Sequence, residues 1–243
     1  MKALLLAGGK GTRLRPYTAV LPKPLMPIGE FPILDIVIRQ LKAAGITDIV
    51  ISVGYLSQLI ESYFGDGERW GVGISYSREE TPLGTAGPIS LLENIEEPFL
   101  VMNGDILTDL HFASFCNTHK ASNSLATVAM YKKKIKVELG TLKCNRDMHI
   151  IDYIEKPTLE YDVSTGIYMF SPRIKDYLVY NQRLDLPDLI RKLIDNGESV
   201  CGYPLEGLWF DLGRKEDYEE INERYSGDIE LTFIGGQSAP FSG

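Results

Sequence analysis

Cysteine is scarce: Cys116, Cys144 and Cys201 are the only three in 243 residues, odd in number and far apart. That excludes a disulfide framework and a CxxC zinc site, and it suits reduced thiols in a cytosolic protein. Histidine is as sparse, and His111, His119 and His149 fall at no metal-ligand spacing. Positive charge is outweighed, with Lys+Arg 25 against Asp+Glu 33 and a net charge of −8. A nucleic-acid binder needs the opposite balance on its contact face, although a local basic pocket for a small phosphorylated ligand is compatible. Long apolar runs are missing too. The run Ala3 to Ala7 stops at Gly8-Gly9, too short for a signal core or a membrane span. Neither nucleic acid nor membrane is therefore expected as a partner, and no repeat or linker-like stretch divides the chain.

What is present is the ordinary balance of a globular chain, 44% hydrophobic and 24% charged. One domain over 1–225 is expected, followed by a tail over 226–243 whose apolar cluster, Ile229 to Ile234, reads equally as docked strand or loose end. Apolar runs alternate with helix-period segments in the first half, the pattern of an α/β fold with a largely parallel sheet. Strands are expected at Ala3 to Leu6, Ile49 to Val53, Val72 to Ser77 and Phe99 to Met102. Helices are expected from Pro32 to Ala44, stopped by Gly45, and from an N-cap at Ser57 to about Phe64. A short helix is expected over Thr85 to Leu92, and another from Phe112 to His119. Then the pattern changes. Ala126 to Tyr131, Leu139 to Lys143, Ile150 to Glu155 and Val163 to Phe170 read as strands with little helix between them, an antiparallel extension. The basic run Lys132-Lys133-Lys134-Ile135-Lys136 reads as a solvated hairpin tip, with a loop over phosphates as the alternative. Later helices are expected at Leu186 to Asp195 and Lys215 to Tyr225, with short strands at Ser199 to Tyr203 and Trp209-Phe210.

The chemistry concentrates after the first strand, in Leu6-Ala7-Gly8-Gly9-Lys10-Gly11-Thr12-Arg13-Leu14-Arg15-Pro16, continuing to Pro22-Lys23-Pro24. This is a turn at the carboxyl end of a parallel strand, where α/β folds bind ligands. Its glycines let backbone amides approach phosphate oxygens closely. Arg13 and Lys23 supply positive charge for a triphosphate, and the prolines flanking Lys23 restrict its backbone. The spacing is not that of a P-loop, which needs GxxxxGK[ST]. Nor is it a dinucleotide fingerprint, because a proline-rich stretch stands where the helix should begin. An NAD-dependent dehydrogenase is excluded on that ground. Asn103-Gly104-Asp105 and Trp209-Phe210-Asp211-Leu212-Gly213 each end an apolar strand with an aspartate, and hard carboxylate oxygens beside a triphosphate suit Mg²⁺. Taken alone, each aspartate could equally be a turn residue.

The segment GGKGTRLRPYTAVLPKPL resembles the signature of the sugar-phosphate nucleotidyltransferases, and the likeness runs from Met1 to about Tyr225. Within that family the look is nearest to mannose-1-phosphate guanylyltransferase-like members. The resemblance implies a Rossmann-like α/β core with a mixed central sheet and a smaller antiparallel sugar-binding part. It implies that Leu6, Ala7, Gly8, Gly9, Gly11, Thr12 and Arg13 bind a nucleoside triphosphate, with Arg13 and Lys23 stabilising charge at the α-phosphate. Asp105 and Asp211 match the family's Mg²⁺ ligands. Gly140, Glu155, Lys156, Ser164 and Thr165 match its sugar-phosphate positions, with serine at 164 in place of the usual asparagine. Glu79, Pro82, Gly84 and Thr85 match its base-facing loop. Guanine presents two adjacent N–H donors that a carboxylate accepts well, so Glu79 favours GTP over the uridylyl, thymidylyl and cytidylyl alternatives. Solvent exposure of Glu79 and Glu80 is the competing reading. The expected substrates are thus an NTP and a sugar 1-phosphate. A non-catalytic sugar-nucleotide sensor would be expected to have lost a metal carboxylate or the Lys-Pro clamp, and both are present. The chain ends without the hexapeptide-repeat β-helix of many relatives, so acyl transfer is not expected, and a homodimer through the core is left open.

Overall fold

A computed structural model describes residues 1–213, 215–225 and 233. Among these residues the thirteen strands are β1 (Lys2–Leu6), β2 (Pro27–Ile28), β3 (Phe31–Pro32), β4 (Asp48–Val53), β5 (Gly73–Arg78), β6 (Phe99–Asn103), β7 (Ile106–Thr108), β8 (Ala126–Lys136), β9 (Thr141–Cys144), β10 (Ile150–Ile154), β11 (Thr158–Phe170), β12 (Val200–Leu205) and β13 (Trp209–Asp211). The five α-helices among the described residues are α1 (Ile33–Ala43), α2 (Ser57–Phe64), α3 (Phe112–Ser122), α4 (Leu186–Asp195) and α5 (Lys215–Tyr225). None is long and apolar enough to cross a membrane.

Seven strands form the central sheet in the order β12-β8-β11-β6-β1-β4-β5. β1, β4, β5 and β6 are mutually parallel, whereas β11 runs antiparallel to both β6 and β8. This is the expected α/β fold with a mixed sheet. Alternation along the strands sends side chains to two separate cores. Leu5, Ile51, Met102 and Ile167 pack with Leu41 of α1 and Phe115 of α3. Leu4, Val50, Val101 and Phe170 pack on the other face with Leu189 and Leu193 of α4. From β1 the chain goes outward to β4 and β5, then returns to the other side of β1 as β6. The strand order therefore reverses at the junction of β1 and β6, and the crevice outside their carboxyl ends is where such sheets take ligands.

Local differences from expectation have local causes. Ser57 is the first residue of α2 rather than its cap. The cap position belongs to Leu56, at φ 55°, and no side chain caps the turn. The segment from Thr85 forms only a 3₁₀ turn over Gly87–Leu91, because Thr85 is occupied elsewhere: its hydroxyl accepts a 2.7 Å bond from the Leu186 amide that opens α4. The basic run is no hairpin tip. It is the distal half of the long strand β8, paired in register with β11, so that Lys132 faces Asp162 and Lys134 faces Glu160. Ion pairs of 3.8 and 3.3 Å close those two positions. The same long strands, with the β9–β10 ribbon at their ends, build an antiparallel arm whose residues from 132 to 162 are almost all solvent-exposed. The tail over 226–243 lies outside the described residues, except for Phe233. That side chain is buried against Leu14, Ile28 and Ile36, and its carbonyl accepts a bond from Gln40.

Candidate active site

Leu6 and Asn103 end β1 and β6 side by side, in parallel register. The Gly104 amide donates to the Leu6 carbonyl at 2.9 Å and ties the two strand ends together. A cavity of about 400 Å³ opens there, at the low end of small-ligand sites. One wall is the loop after β1: Leu6, Ala7, Gly8, Gly9, Gly11, Thr12 and Arg13. Lys23, Asp105, Glu79, Pro82, Gly84 and Thr85 line the rest of the cavity. The structure thus brings into one place residues as far apart in sequence as Leu6 and Gly213.

The glycines of the loop differ in what holds them. Gly11 adopts φ +59°, and a Cβ there would sit 2.9 Å from Thr18 Cγ2 and 3.3 Å from Lys23 Cβ. The Thr18 hydroxyl donates to the Gly11 carbonyl at 2.7 Å and closes the turn. Gly9, by contrast, has ordinary backbone and no described atom within 4 Å of where a Cβ would lie. The fold does not require glycine at that position; a close-approaching ligand would.

Charge is arranged around Lys23, which is itself buried at 7% exposure. Its ammonium forms an ion pair with Asp105 and lies 4.0 Å from Asp211 Oδ1. The two aspartates are neighbours because β13 pairs antiparallel with β7, and the Leu212 amide donates to the Asp105 carbonyl at 3.1 Å. The Gly213 amide donates to Asp211 Oδ1 at 2.9 Å. A Cβ on Gly213 would come within 2.7 Å of Arg13 Nη2 and 2.8 Å of both Lys23 Nζ and Asp211 Oδ1. Arg13, Lys23 and Asp211 therefore converge on one glycine. Asp105 Oδ1 is buried and has no hydrogen-bond partner among the described residues. Burial without a partner costs about 1–3 kcal/mol for a polar group, more for a charged one. Among the described residues no group of three or more His, Cys, Asp or Glu could hold a metal unaided. Two carboxylates, one with an unsatisfied oxygen, instead fit a hard divalent ion that takes its remaining ligands from phosphate and water, as Mg²⁺ does beside nucleotides.

Glu79 is half-buried and lines the cavity; Glu80 is exposed. The Glu79 carboxylate is fixed from both ends, accepting 2.7 Å from the Ser52 hydroxyl and 2.8 Å from the Leu83 amide. Each oxygen keeps acceptor capacity for a ligand donor.

The expected sugar-phosphate residues do not line this cavity. Ser164 lines a second one, of about 460 Å³, with Tyr168, Pro187 and Ile190, and its hydroxyl is 2.7 Å from that of Tyr168. A seam of hydrogen bonds links the walls of the two cavities. Thr85 walls the first, and its amide and hydroxyl bind Asp185 and Leu186, just before Pro187 of the second. Thr165 is buried, with its hydroxyl donated to the Ala129 carbonyl at 2.8 Å. Gly140, Glu155 and Lys156 lie on the arm. There the Tyr153 hydroxyl donates to Glu155 Oε2 at 2.7 Å, and a Cβ on Gly140 would strike that hydroxyl. Leu14, Pro24, Asn103, Gly104 and Gly213 complete the first cavity. They are not among the site residues expected from the sequence, although each lies within two positions of one that is.

The nucleotidyl transferase family model matches residues 2–227. The chain is 35% identical to a UTP–glucose-1-phosphate uridylyltransferase of Synechocystis sp., over 97% of this chain and 66% of the relative. It is 36% identical to a mannose-1-phosphate guanyltransferase of Yarrowia lipolytica, over 90% of this chain and 62% of the relative. It thus spans just under two thirds of these curated relatives. In fold it resembles a putative glucose-1-phosphate thymidylyltransferase from Bacillus anthracis, with TM-score 0.73 and 24% identity over 100% of this chain and 98% of that one. A UDP-glucose pyrophosphorylase solved with UDP-glucose aligns at TM-score 0.70 and 22% identity, over 93% and 98% of the two chains. With the family match running through the glycine loop, both aspartates and the strands that carry them, this chain belongs to the nucleotidyl transferase family.

Proposed function

We propose that this chain transfers a nucleotidyl group from a nucleoside triphosphate to a sugar 1-phosphate, giving a nucleotide sugar and pyrophosphate. The observation that carries this reading is the convergence of Arg13, Lys23, Asp105 and Asp211 on the crevice between β1 and β6. The reaction brings two anions together: an oxygen of the sugar phosphate attacks the α-phosphorus in line, and the bond to the β-phosphate oxygen breaks as pyrophosphate leaves. No protein nucleophile is needed. The barrier is lowered by positioning and by fixed positive charge where negative charge builds.

In this reading the amides around Gly8, Gly9, Gly11 and Thr12 cradle the triphosphate, and Leu6, Ala7, Pro82, Gly84 and Thr85 enclose the nucleoside. Arg13 and Lys23 hold the α-phosphate and the departing pyrophosphate. Asp105 and Asp211 would hold Mg²⁺, which when bound neutralises phosphate charge and aligns phosphate oxygens. The sugar occupies the second cavity beside Ser164, across the Thr85–Leu186 seam, and Thr165 supports that strand from within. Glu155 and Lys156 of the arm serve the sugar hydroxyls and the acceptor phosphate, next to Gly140.

GTP is the favoured donor. Glu79 stands beside Gly8, pinned by Ser52 and Leu83, with an acceptor left on each oxygen for the adjacent N1–H and N2–H of guanine. UTP is the second reading, favoured by the likeness to the Synechocystis uridylyltransferase. The test is a matrix of GTP, UTP, CTP and dTTP against several sugar 1-phosphates, read by pyrophosphate release. Turnover with GTP as the best donor is expected. GTP as the worst donor refutes the role of Glu79, and no turnover in any cell refutes the reaction.

A further inference from the structure

Asn103 stands on the strand between the two cavities. It ends β6, and β6 lies between β1, which carries Leu6 of the first cavity, and β11, which carries Ser164 and Tyr168 of the second. Leu6 pairs with Asn103 on one side. On the other, Ile167 pairs antiparallel with Met102, which brings Gly166 opposite Asn103. Alternation along β6 puts Asn103 on the face of Phe99 and Val101. Tyr168, Val128 and Ile190 of the second cavity pack on that same face, and so does Leu6 of the first.

The strand places this side chain without putting it to use. Asn103 is half-buried and lines the first cavity. Gly166 adopts φ +80°, and a Cβ there would lie 2.7 Å from Asn103 Nδ2 and 3.2 Å from its Cγ. The carboxamide thus rests against bare backbone, which leaves it little room to swing towards β11. Among the described residues no hydrogen bond engages it, although it offers two N–H donors and two carbonyl lone pairs. The rest of β6 is Phe-Leu-Val-Met, so packing alone does not call for an amide at its end.

We propose that Asn103 reads the sugar at the carbon next to the reacting centre and selects acceptors that carry a free 2-hydroxyl. This rests on the nucleotidyl transfer proposed above. With the triphosphate in the first cavity and the sugar in the second, the anomeric carbon and its phosphate cross the strand between them, over Asn103. Lys23 and Asp105 are ion-paired beside Asp211 on the phosphate side, so the carboxamide is left for the sugar. Two ring atoms flank the anomeric carbon. One is the ring oxygen, which only accepts. The other is C2, whose hydroxyl donates and accepts, as a carboxamide does. A 2-deoxy sugar leaves the carboxamide without that partner, which costs about tenfold in binding. A larger 2-acetamido group meets an amide that Gly166 backs at contact distance.

Pyrophosphate release by the full chain with its best triphosphate tests this. The acceptors are glucose 1-phosphate, mannose 1-phosphate, N-acetylglucosamine 1-phosphate and 2-deoxyglucose 1-phosphate, the last being the 2-deoxy form of the first two alike. Glucose or mannose 1-phosphate is expected to be the best, with kcat/KM about tenfold or more above the 2-deoxy acceptor. Asn103→Ala is expected to raise KM for that best acceptor by about the same factor, leaving KM for the triphosphate and kcat/KM for the 2-deoxy acceptor unchanged. A wild type that uses the 2-deoxy acceptor equally well, or prefers the N-acetylated one, overturns the inference without any variant. An Asn103→Ala enzyme that keeps its preference, or loses activity equally with both acceptors, overturns it as well, because the effect is then absent or merely structural. In all these cases nucleotidyl transfer itself stands. No release with any acceptor overturns that reading and this inference together.

Discussion

Replacing Gly213 with alanine separates the chemistry of the crevice from its folding. Gly213 does not adopt positive φ, so alanine is compatible with the backbone. Removing a glycine at such a position stabilises a fold by about 0.4–1 kcal/mol through the unfolded chain. The added methyl would nevertheless lie within 2.8 Å of Arg13 Nη2, Lys23 Nζ and Asp211 Oδ1. Real Cβ atoms do not come that close, so these side-chain ends must move. They are the ends of flexible side chains and not backbone, Arg13 exposed and Lys23 buried, so they can shift at less cost to the fold than a backbone clash would bring. It costs the transition state much more. Displacing one preorganised charge-stabilising donor lowers kcat by about 10²–10³-fold, or about 2.7–4 kcal/mol, and here three charged groups shift together. The expected outcome is a protein with Tm equal to or slightly above wild type and kcat/KM for pyrophosphate release reduced at least about a hundredfold. Activity within a few-fold of wild type would refute the idea that these groups act from the positions seen here.

Gly9→Ala follows the same logic on the nucleotide side: the fold leaves the space empty, so Tm is unchanged while KM for the triphosphate rises about tenfold or more, an effect of at least about 1.4 kcal/mol. His119 gives a pH signature in stability. Burial lowers its pKa in the folded state, where its ring nitrogens lie 2.8 Å from Thr127 Oγ1 and 3.3 Å from Ser171 Oγ. The unfolded chain therefore binds the proton first as pH falls. The His119 contribution is complete above about pH 6.5 and is lost as pH drops from there towards the folded-state value. Chemical denaturation at pH 7.5 and 5.5 should show a smaller loss for His119→Gln than for wild type; equal losses would remove His119 as the cause. Burial pushes the Cys116 thiol up to about 11, whereas Cys144 on the arm is exposed. Thiol titration at pH 8 should find Cys144 reacting at once and Cys116 only after unfolding, and prompt labelling of Cys116 would contradict its burial.

Much of the fold was legible because its signals are short-range. The run Ala3 to Leu6 meeting Gly8-Gly9, and the helix over 33–43 ending at Gly45, depend on neighbours a few residues away. The first cavity was legible for the same reason, since its residues sit where apolar strands stop. What escaped depends on partners distant in sequence. Nothing near Lys134 announces that Glu160 will face it, so a paired strand read as a hairpin tip. Thr85 failed to start a helix because it binds Leu186, a hundred residues on. The grip of Ser52 and Leu83 on Glu79, and the crowding of three charges around Gly213, exist only once the sheet has formed. The exposure of the arm was invisible for the opposite reason: its alternating apolar residues look like any half-buried strand until the missing cover is seen.

The place of β1 in the middle of the sheet bears on how such a chain can diverge. The loop that follows it is gripped by a strand on either flank, so whatever it holds is held stiffly. The segment 82–85 instead follows the edge strand β5 and leans on residues 184–186 across a seam of only a few hydrogen bonds. Substitutions along that seam can change which molecules are admitted while the stiff half goes on working, an arrangement in which selectivity can drift without the loss of reactivity.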